Sequence, residues 1–229
     1  RGATGVCFMI ELVEVTKSFG PKVAVDRLSL HIRRGELVAF LGPNGAGKTT
    51  TIKIICGLLR PTSGTVRIAG HDVTQDGRDA RHLLSYVPDQ PYLYEKLTGR
   101  EFLQFVLDMY GIDPKAGARR TADLIELFEM GTYIDSMTES YSHGMKQRVV
   151  FAAALLRDPE VLVVDEPMVG LDPKSARLVK DLLRARATAG AAVFMSTHTL
   201  DVAEQVADRI AIVDRGRLVS CGTLAELRS

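Results

Sequence analysis

Gly42-Pro43-Asn44-Gly45-Ala46-Gly47-Lys48-Thr49 is the stretch on which the fold turns. It fits G-x-x-x-x-G-K-[ST], and it stands in the setting that pattern needs. A short apolar strand, Glu36 to Leu41, runs into it, and Thr51 to Leu59, apolar at helical spacing, runs out of it. Its glycines let successive backbone N–H groups turn towards one phosphate without a Cβ in the way. The helix that follows adds the positive end of its dipole. Lys48 places a point charge on the β- and γ-phosphates of a nucleotide, and the Thr49 hydroxyl is a ligand for Mg2+.

A second site residue pair lies downstream. Val161-Leu162-Val163-Val164 is a four-residue apolar run, as expected of a strand buried on both faces of a sheet, and Asp165-Glu166-Pro167 follows at once. Asp165 at the strand end would hold Mg2+ through a water, and Glu166 would polarise an attacking water. Taken alone, two acids after a strand also describe a surface turn. The phosphate loop upstream favours the chemical reading.

Outward from these two motifs the chain alternates strands and helices. Met9 to Val15 and Leu28 to Ile32 alternate like strands around a turn at Phe19-Gly20-Pro21, and Thr65 to Ile68 is a further strand after a turn at Pro61 to Gly64. The middle of the chain is helical. Phe102, Phe105, Val106 and Met109 share one face of a helix over Glu101 to Tyr110, and Leu124, Ile125 and Phe128 do so over Thr121 to Phe128. After Val161 to Val164 come a helix with Val179, Leu182 and Leu183 inward and Gly190 as its stop, a strand Ala192 to Met195, and a short helix Leu200 to Ala207. A hairpin of Arg209 to Val213 and Arg217 to Ser220 turns at Asp214-Arg215-Gly216. The pattern is an α/β sheet covered by helices with a helical insertion, and its motifs fall at the carboxyl ends of strands, where such sheets bind ligands.

Bulk properties agree. The 229 residues suit one large α/β domain or two small ones, with 46% hydrophobic and 25% charged residues. The balance of 29 basic and 28 acidic residues, net +1, does not point to nucleic acid as a partner. The three cysteines, Cys7, Cys56 and Cys221, form no CxxC pair and imply neither disulfides nor zinc, which fits a reducing, cytoplasmic setting. No apolar run, Val149 to Leu156 included, reaches the roughly 20 residues of a membrane helix. Arg1 to Phe8 has no long apolar region and does not read as a signal peptide, and Glu226 to Ser229 follows closely on the last hairpin and a short helix, with no regulatory domain expected.

The order of further segments resembles the ATP-binding-cassette family over Ile10 to Leu227. Tyr141-Ser142-His143-Gly144-Met145-Lys146-Gln147-Arg148 stands where that family has its LSGGQ signature. Gly170-Leu171-Asp172-Pro173 looks like the D-loop, Ser196-Thr197-His198 like the switch-histidine segment, and Tyr86-Val87-Pro88-Asp89-Gln90 like the Q-loop. Phe19 is placed like the aromatic that stacks on adenine. Alone, Ser142 to Gly144 would be a capped helix start, His198 a structural histidine and Phe19 a core residue. The joint order decides.

The resemblance implies a P-loop NTPase (RecA-like) core with an N-terminal antiparallel β subdomain and an inserted helical subdomain. The division expected is 9–90 with 157–229 as the ATP-binding core, and 91–156 as the helical part carrying the signature. It implies ATP and Mg2+ as cofactors, with Phe19, residues 42–49, Thr50, Ser142 and Gly144 on the nucleotide, Thr49, Asp165 and Asp89 towards the metal, and Glu166, His198 and Asp89 in catalysis. Ser142 and Gly144 would reach the γ-phosphate bound to a second nucleotide-binding subunit, so that two ATP molecules are sandwiched in a homodimer or heterodimer. The partner implied is a separate transmembrane permease of exporter (ABC-2-like) type, with this subunit peripheral on the cytoplasmic side of the membrane. A soluble cassette working on DNA or ribosomes is the rival. Such proteins usually carry two cassettes, long insertions or basic arms, which this chain lacks. Two departures stand out: His143 and Met145 occupy signature positions that are Gly and Gln in the family, and Asp89 takes the Q-loop glutamine's place with Gln90 beside it. A carboxylate binds the water shell of Mg2+ more strongly than an amide, which assigns that contact to Asp89. Pro91 to Glu101, with Tyr92, Leu93 and Tyr94, is either core packing or a dock for a membrane subunit.

Overall fold

A computed structural model describes residues 8–228. Cys7 and the start of the chain lie outside them. In chain order the elements are β1 (Phe8–Phe19), β2 (Lys22–Arg33), β3 (Leu37–Leu41), α1 (Lys48–Ile55), β4 (Ser63–Ile68), β5 (His71–Asp72), α2 (Gly77–Leu83) and β6 (Leu84–Val87). Then follow α3 (Gly99–Met109), α4 (Pro114–Leu127), a 3-10 turn at Thr138–Ser140 and α5 (His143–Leu155). The chain continues with β7 (Val161–Val164), α6 (Pro173–Thr188), β8 (Ala192–Thr197), α7 (Leu200–Val206), β9 (Arg209–Asp214), β10 (Arg217–Gly222) and α8 (Leu224–Leu227).

Two sheets result. The larger runs β10-β9-β3-β8-β7-β6 and is parallel except for the edge strand β10. The smaller is antiparallel, β2-β1-β4-β5. The period of two along the central strands divides their side chains between two cores. Leu37, Ala39, Leu162, Val164, Val193 and Met195 join the core with α3, α5 and α6. Val38, Phe40, Val161, Val163, Ala192 and Phe194 join the core with β1, β2, β4 and α1. This is the expected α/β architecture with an antiparallel β part and helices inserted between β6 and β7.

Local signals set the helix ends. Asp113 accepts from the Ala116 N–H and Pro114 opens α4, so that helix begins well before the expected Thr121. Thr98 and Glu101 form a capping box at α3. Helix α1 starts at Lys48 rather than Thr51 and stops at Ile55, short of Leu59, because Gly57 takes a left-handed conformation and leaves Leu58 exposed. Residues 71–87, to which the sequence pattern assigned no element, carry β5, α2 and the edge strand β6.

The expected inward face of α3 is corrected. Val106 is buried, but its companions in the core are Leu103 and Leu107, whereas Phe105 and Met109 are exposed and Phe102 is half-buried. The helix has two adjacent apolar stripes. Periodicity finds them without saying which one the core takes.

Candidate nucleotide site

The loop after β3 cannot be built from other residues. A Cβ on Gly42 would lie 2.3 Å from the Val213 carbonyl oxygen, and one on Gly47 would lie 2.5 Å from that of Ala24. Gly45 and Gly47 have φ of 81° and 102°. Gly47 precedes α1 with no side-chain cap on the helix start, so the first N–H groups stay available to an anion. The β9–β10 turn braces the loop, as the Gly216 N–H donates to the Ala46 carbonyl at 2.9 Å.

Lys48 is buried, and its Nζ donates to the Gly42 carbonyl at 2.7 Å and the Pro43 carbonyl at 3.2 Å. It also lies 3.3 Å from Glu166 Oε1. The other Glu166 oxygen is 3.0 Å from His198 Nδ1. Glu166 has φ of 47°, a left-handed conformation rare outside glycine. Such strain costs on the order of 1 kcal/mol and, at strand ends, accompanies function. The expected catalytic pair and the loop lysine are thus brought together.

Ser196, at the end of β8, is a site residue whose role the sequence pattern left out. Its hydroxyl donates to Asp165 Oδ1 at 2.5 Å and accepts from the Glu166 N–H at 2.9 Å, so one side chain positions both acids. The only available signal was its place two residues before His198. Asp165 is fully buried and its second oxygen, Oδ2, has no hydrogen-bond partner. Burial, then the nearby Asp89 and Glu166 carboxylates, hold Asp165 above the usual carboxylate range, against the pull of the Ser196 hydrogen bond and the nearby Thr49 hydroxyl. A free buried carboxylate oxygen beside a threonine hydroxyl and two further acids fits a hard divalent cation. Among the described residues no three Asp, Glu, His or Cys stand close enough to hold a metal by themselves, so phosphate oxygens would have to complete the set.

Lys48, Thr49, Asp89 and Glu166 border a cavity of about 510 Å³ completed by Asn44, Gly45, Gly47, Thr50, Lys22, Val23, Ala24 and Arg215, with Asp165, Ser196 and His198 behind its lining. The size suits a nucleotide. Gln90, exposed, is not in the lining, whereas Asp89 is. Phe19 is half exposed and pairs with Lys22 across the β1–β2 turn, and the lining comes from Lys22, Val23 and Ala24 instead. Ser142 and Gly144 also stand outside this cavity. Ser142 caps α5 by accepting from the Met145 N–H, as expected. His143 packs on Gly170, where a Cβ would meet its Cδ2 at 3.2 Å.

A second concavity, about 340 Å³, opens between α2, α3 and α5 beside β6. Tyr92, Phe102, Met109 and Tyr110 line it, and Tyr92 and Met109 are 76% and 58% exposed. Next to it Tyr94 meets the edge of Phe105 at 5.6 Å.

The family described as ABC transporter matches residues 25–169. The chain belongs to the ABC transporter family. The daunorubicin/doxorubicin resistance ATP-binding protein DrrA of Streptomyces peucetius is 41% identical over 220 residues, which is 96% of this chain and 67% of that protein. The linearmycin resistance ATP-binding protein LnrL of Bacillus subtilis (strain 168) is 34% identical over 221 residues, 96% of this chain and 71% of its own length. The chain thus spans roughly two thirds of these relatives. A solved ATP-binding subunit of an ABC transporter superposes with a TM-score of 0.91 at 33% identity, covering 96% of this chain and 92% of that one. A dimeric cassette in a post-hydrolysis state with ADP and Pi has a TM-score of 0.85 at 27% identity, covering 94% and 99%. As an ABC ATPase the chain binds and hydrolyses ATP. Among its described residues no helix is long and apolar enough to cross a membrane.

Proposed function

We propose that this ABC ATPase drives export by a separate membrane-spanning permease, working at the inner face of the membrane as one of two paired cassettes. The carrying observation is that Lys48 and Glu166 meet on one cavity, with His198 behind Glu166 on its second oxygen, while Ser142 and Gly144 stand apart from it. A site with its signature elsewhere on the same chain is completed by the signature of a second subunit. The relatives named for drug and linearmycin resistance support the export direction, and the dimeric neighbour supports the pairing.

In this reading residues 42–50 bind the phosphates and Phe19 the base. Thr49, Asp165 and Asp89 would hold Mg2+, which when bound offsets the phosphate charge. Glu166 takes a proton from the attacking water, with its carboxylate held between Lys48 and His198 and its backbone N–H fixed by the Ser196 hydroxyl. His198 reports the γ-phosphate. Residues 91–156 are the arm that carries the signature, and 9–90 with 157–229 the ATP-binding core. The exposed aromatic groove beside β6 is the dock for the permease, since solvent-facing Tyr92 and Met109 mark a partner surface. The decisive experiment is ATPase activity over a range of protein concentration, with Mg2+, for the native chain and Glu166→Gln. Activity that rises more than linearly, and a variant that forms ATP-dependent dimers without turnover, is the expected result. Strict proportionality to concentration would refute the composite site.

A further inference from the structure

Two cations line the nucleotide cavity that none of the sequence motifs accounts for: Lys22 on β2 and Arg215 in the β9–β10 turn. The turn is a fixed object. Arg215 and Gly216 have φ of 46° and 80°, as a two-residue turn with both centres left-handed requires. Gly216 donates to Ala46 of the phosphate loop and accepts from the Asp26 N–H of β2, both at 2.9 Å. A Cβ on Gly216 would lie 2.7 Å from the Ala24 carbonyl oxygen, and Arg217 Nε donates to Asp26 Oδ2 at 2.7 Å. The turn is therefore clamped to the β2 side of the cavity, where Lys22, Val23 and Ala24 stand.

The charges themselves are uncommitted. Among the described residues Arg215 pairs only with its neighbour Asp214, at 3.8 Å and 92% exposed, an arrangement worth little in water. Lys22 makes no ion pair among the described residues. Lys48, by contrast, is already engaged with two carbonyls and Glu166. The acidic lining, Asp89 and Glu166, belongs to the ends of β6 and β7. We propose that Lys22 and Arg215 form a cationic wall on the β2 side that holds the part of the nucleotide common to ATP and ADP. Contacts to that part bind ground state and transition state alike, so they set affinity rather than turnover.

The test is titration of the full chain with fluorescent ATP and ADP analogues, at two salt concentrations, for the native protein, Lys22→Ala, Arg215→Ala, Arg215→Lys and the double alanine variant. Each single alanine variant is expected to weaken both nucleotides equally, by about three- to tenfold, with a shallower salt dependence. Arg215→Lys should recover most of the loss. Three results would overturn the wall: unchanged affinities, a loss confined to ATP, or an Arg215→Lys variant as weak as the alanine, which would trace the effect to turn geometry. Native binding in the same titration separates failure of this inference from failure of the nucleotide site.

Discussion

The nucleotide cavity and the aromatic groove are made in opposite ways. The cavity is built from backbone: glycines with no room for a Cβ, a helix start without a side-chain cap, and acids held at strand ends by Ser196. The groove is built from side chains, among them Phe102 and Met109 of α3 and Tyr92 of the segment before it, and Tyr92 and Met109 stay in water. Backbone sites tolerate few substitutions and look alike in distant relatives. Side-chain surfaces are free to follow a partner.

Breaking the cavity should have the largest effects. Glu166→Gln should lower ATPase turnover by at least about a hundredfold while ATP binding persists, read by steady-state kinetics beside equilibrium binding. Gly42→Val should cost about 3 kcal/mol or more of stability and abolish nucleotide binding, since its side chain would meet the Val213 carbonyl; thermal melts and binding check both. Asp165→Asn should abolish Mg2+-dependent turnover and yet raise the melting temperature of the nucleotide-free chain. The sign follows from the raised folded-state pKa of Asp165. As pH climbs from the ordinary carboxylate value through the raised one, the native chain loses stability by ionising a buried acid, and the amide does not titrate. The gain should accordingly vanish in acid. Asp89→Asn should move the Mg2+ requirement several-fold higher, with Gln90→Ala neutral.

The smallest effect on the isolated chain belongs to the groove, and it sharpens the contrast. Tyr92→Ser or Met109→Ser should shift stability by no more than about 0.5 kcal/mol and leave basal ATPase unchanged. The same variants should lose stimulation by the permease in a reconstituted membrane. Equal damage to basal activity would make the groove part of the catalytic body.

What could be read in advance follows the same division. Loop 42–49, the run before Asp165 and the Ser142 cap are local patterns whose chemistry dictates their residues, and each lies where its pattern put it. The sheet order joins β6 to β7 across 73 residues of chain, and nothing local encodes that. The face of α3 was misread because two apolar stripes compete and tertiary packing chooses between them. Ser196 and Arg215 escaped because a serine or an arginine near a strand end carries no pattern of its own; only the fold sets one between two acids and the other against the cavity.

The strict alternation along β7 makes that strand a clock as well as a wall. Val161 and Val163 tick towards the core that holds α1, Leu162 and Val164 towards the other, and the next beat, Asp165, falls on the side of Thr49. Removing a single valine would do more than vacate space: it would set chemistry and folding half a period apart, turning the acid away from the phosphate loop even in a chain that managed to fold. Length changes should therefore be tolerated in the loops and not within β7, where the interval between the buried strand and its acid matters as much as the acid itself.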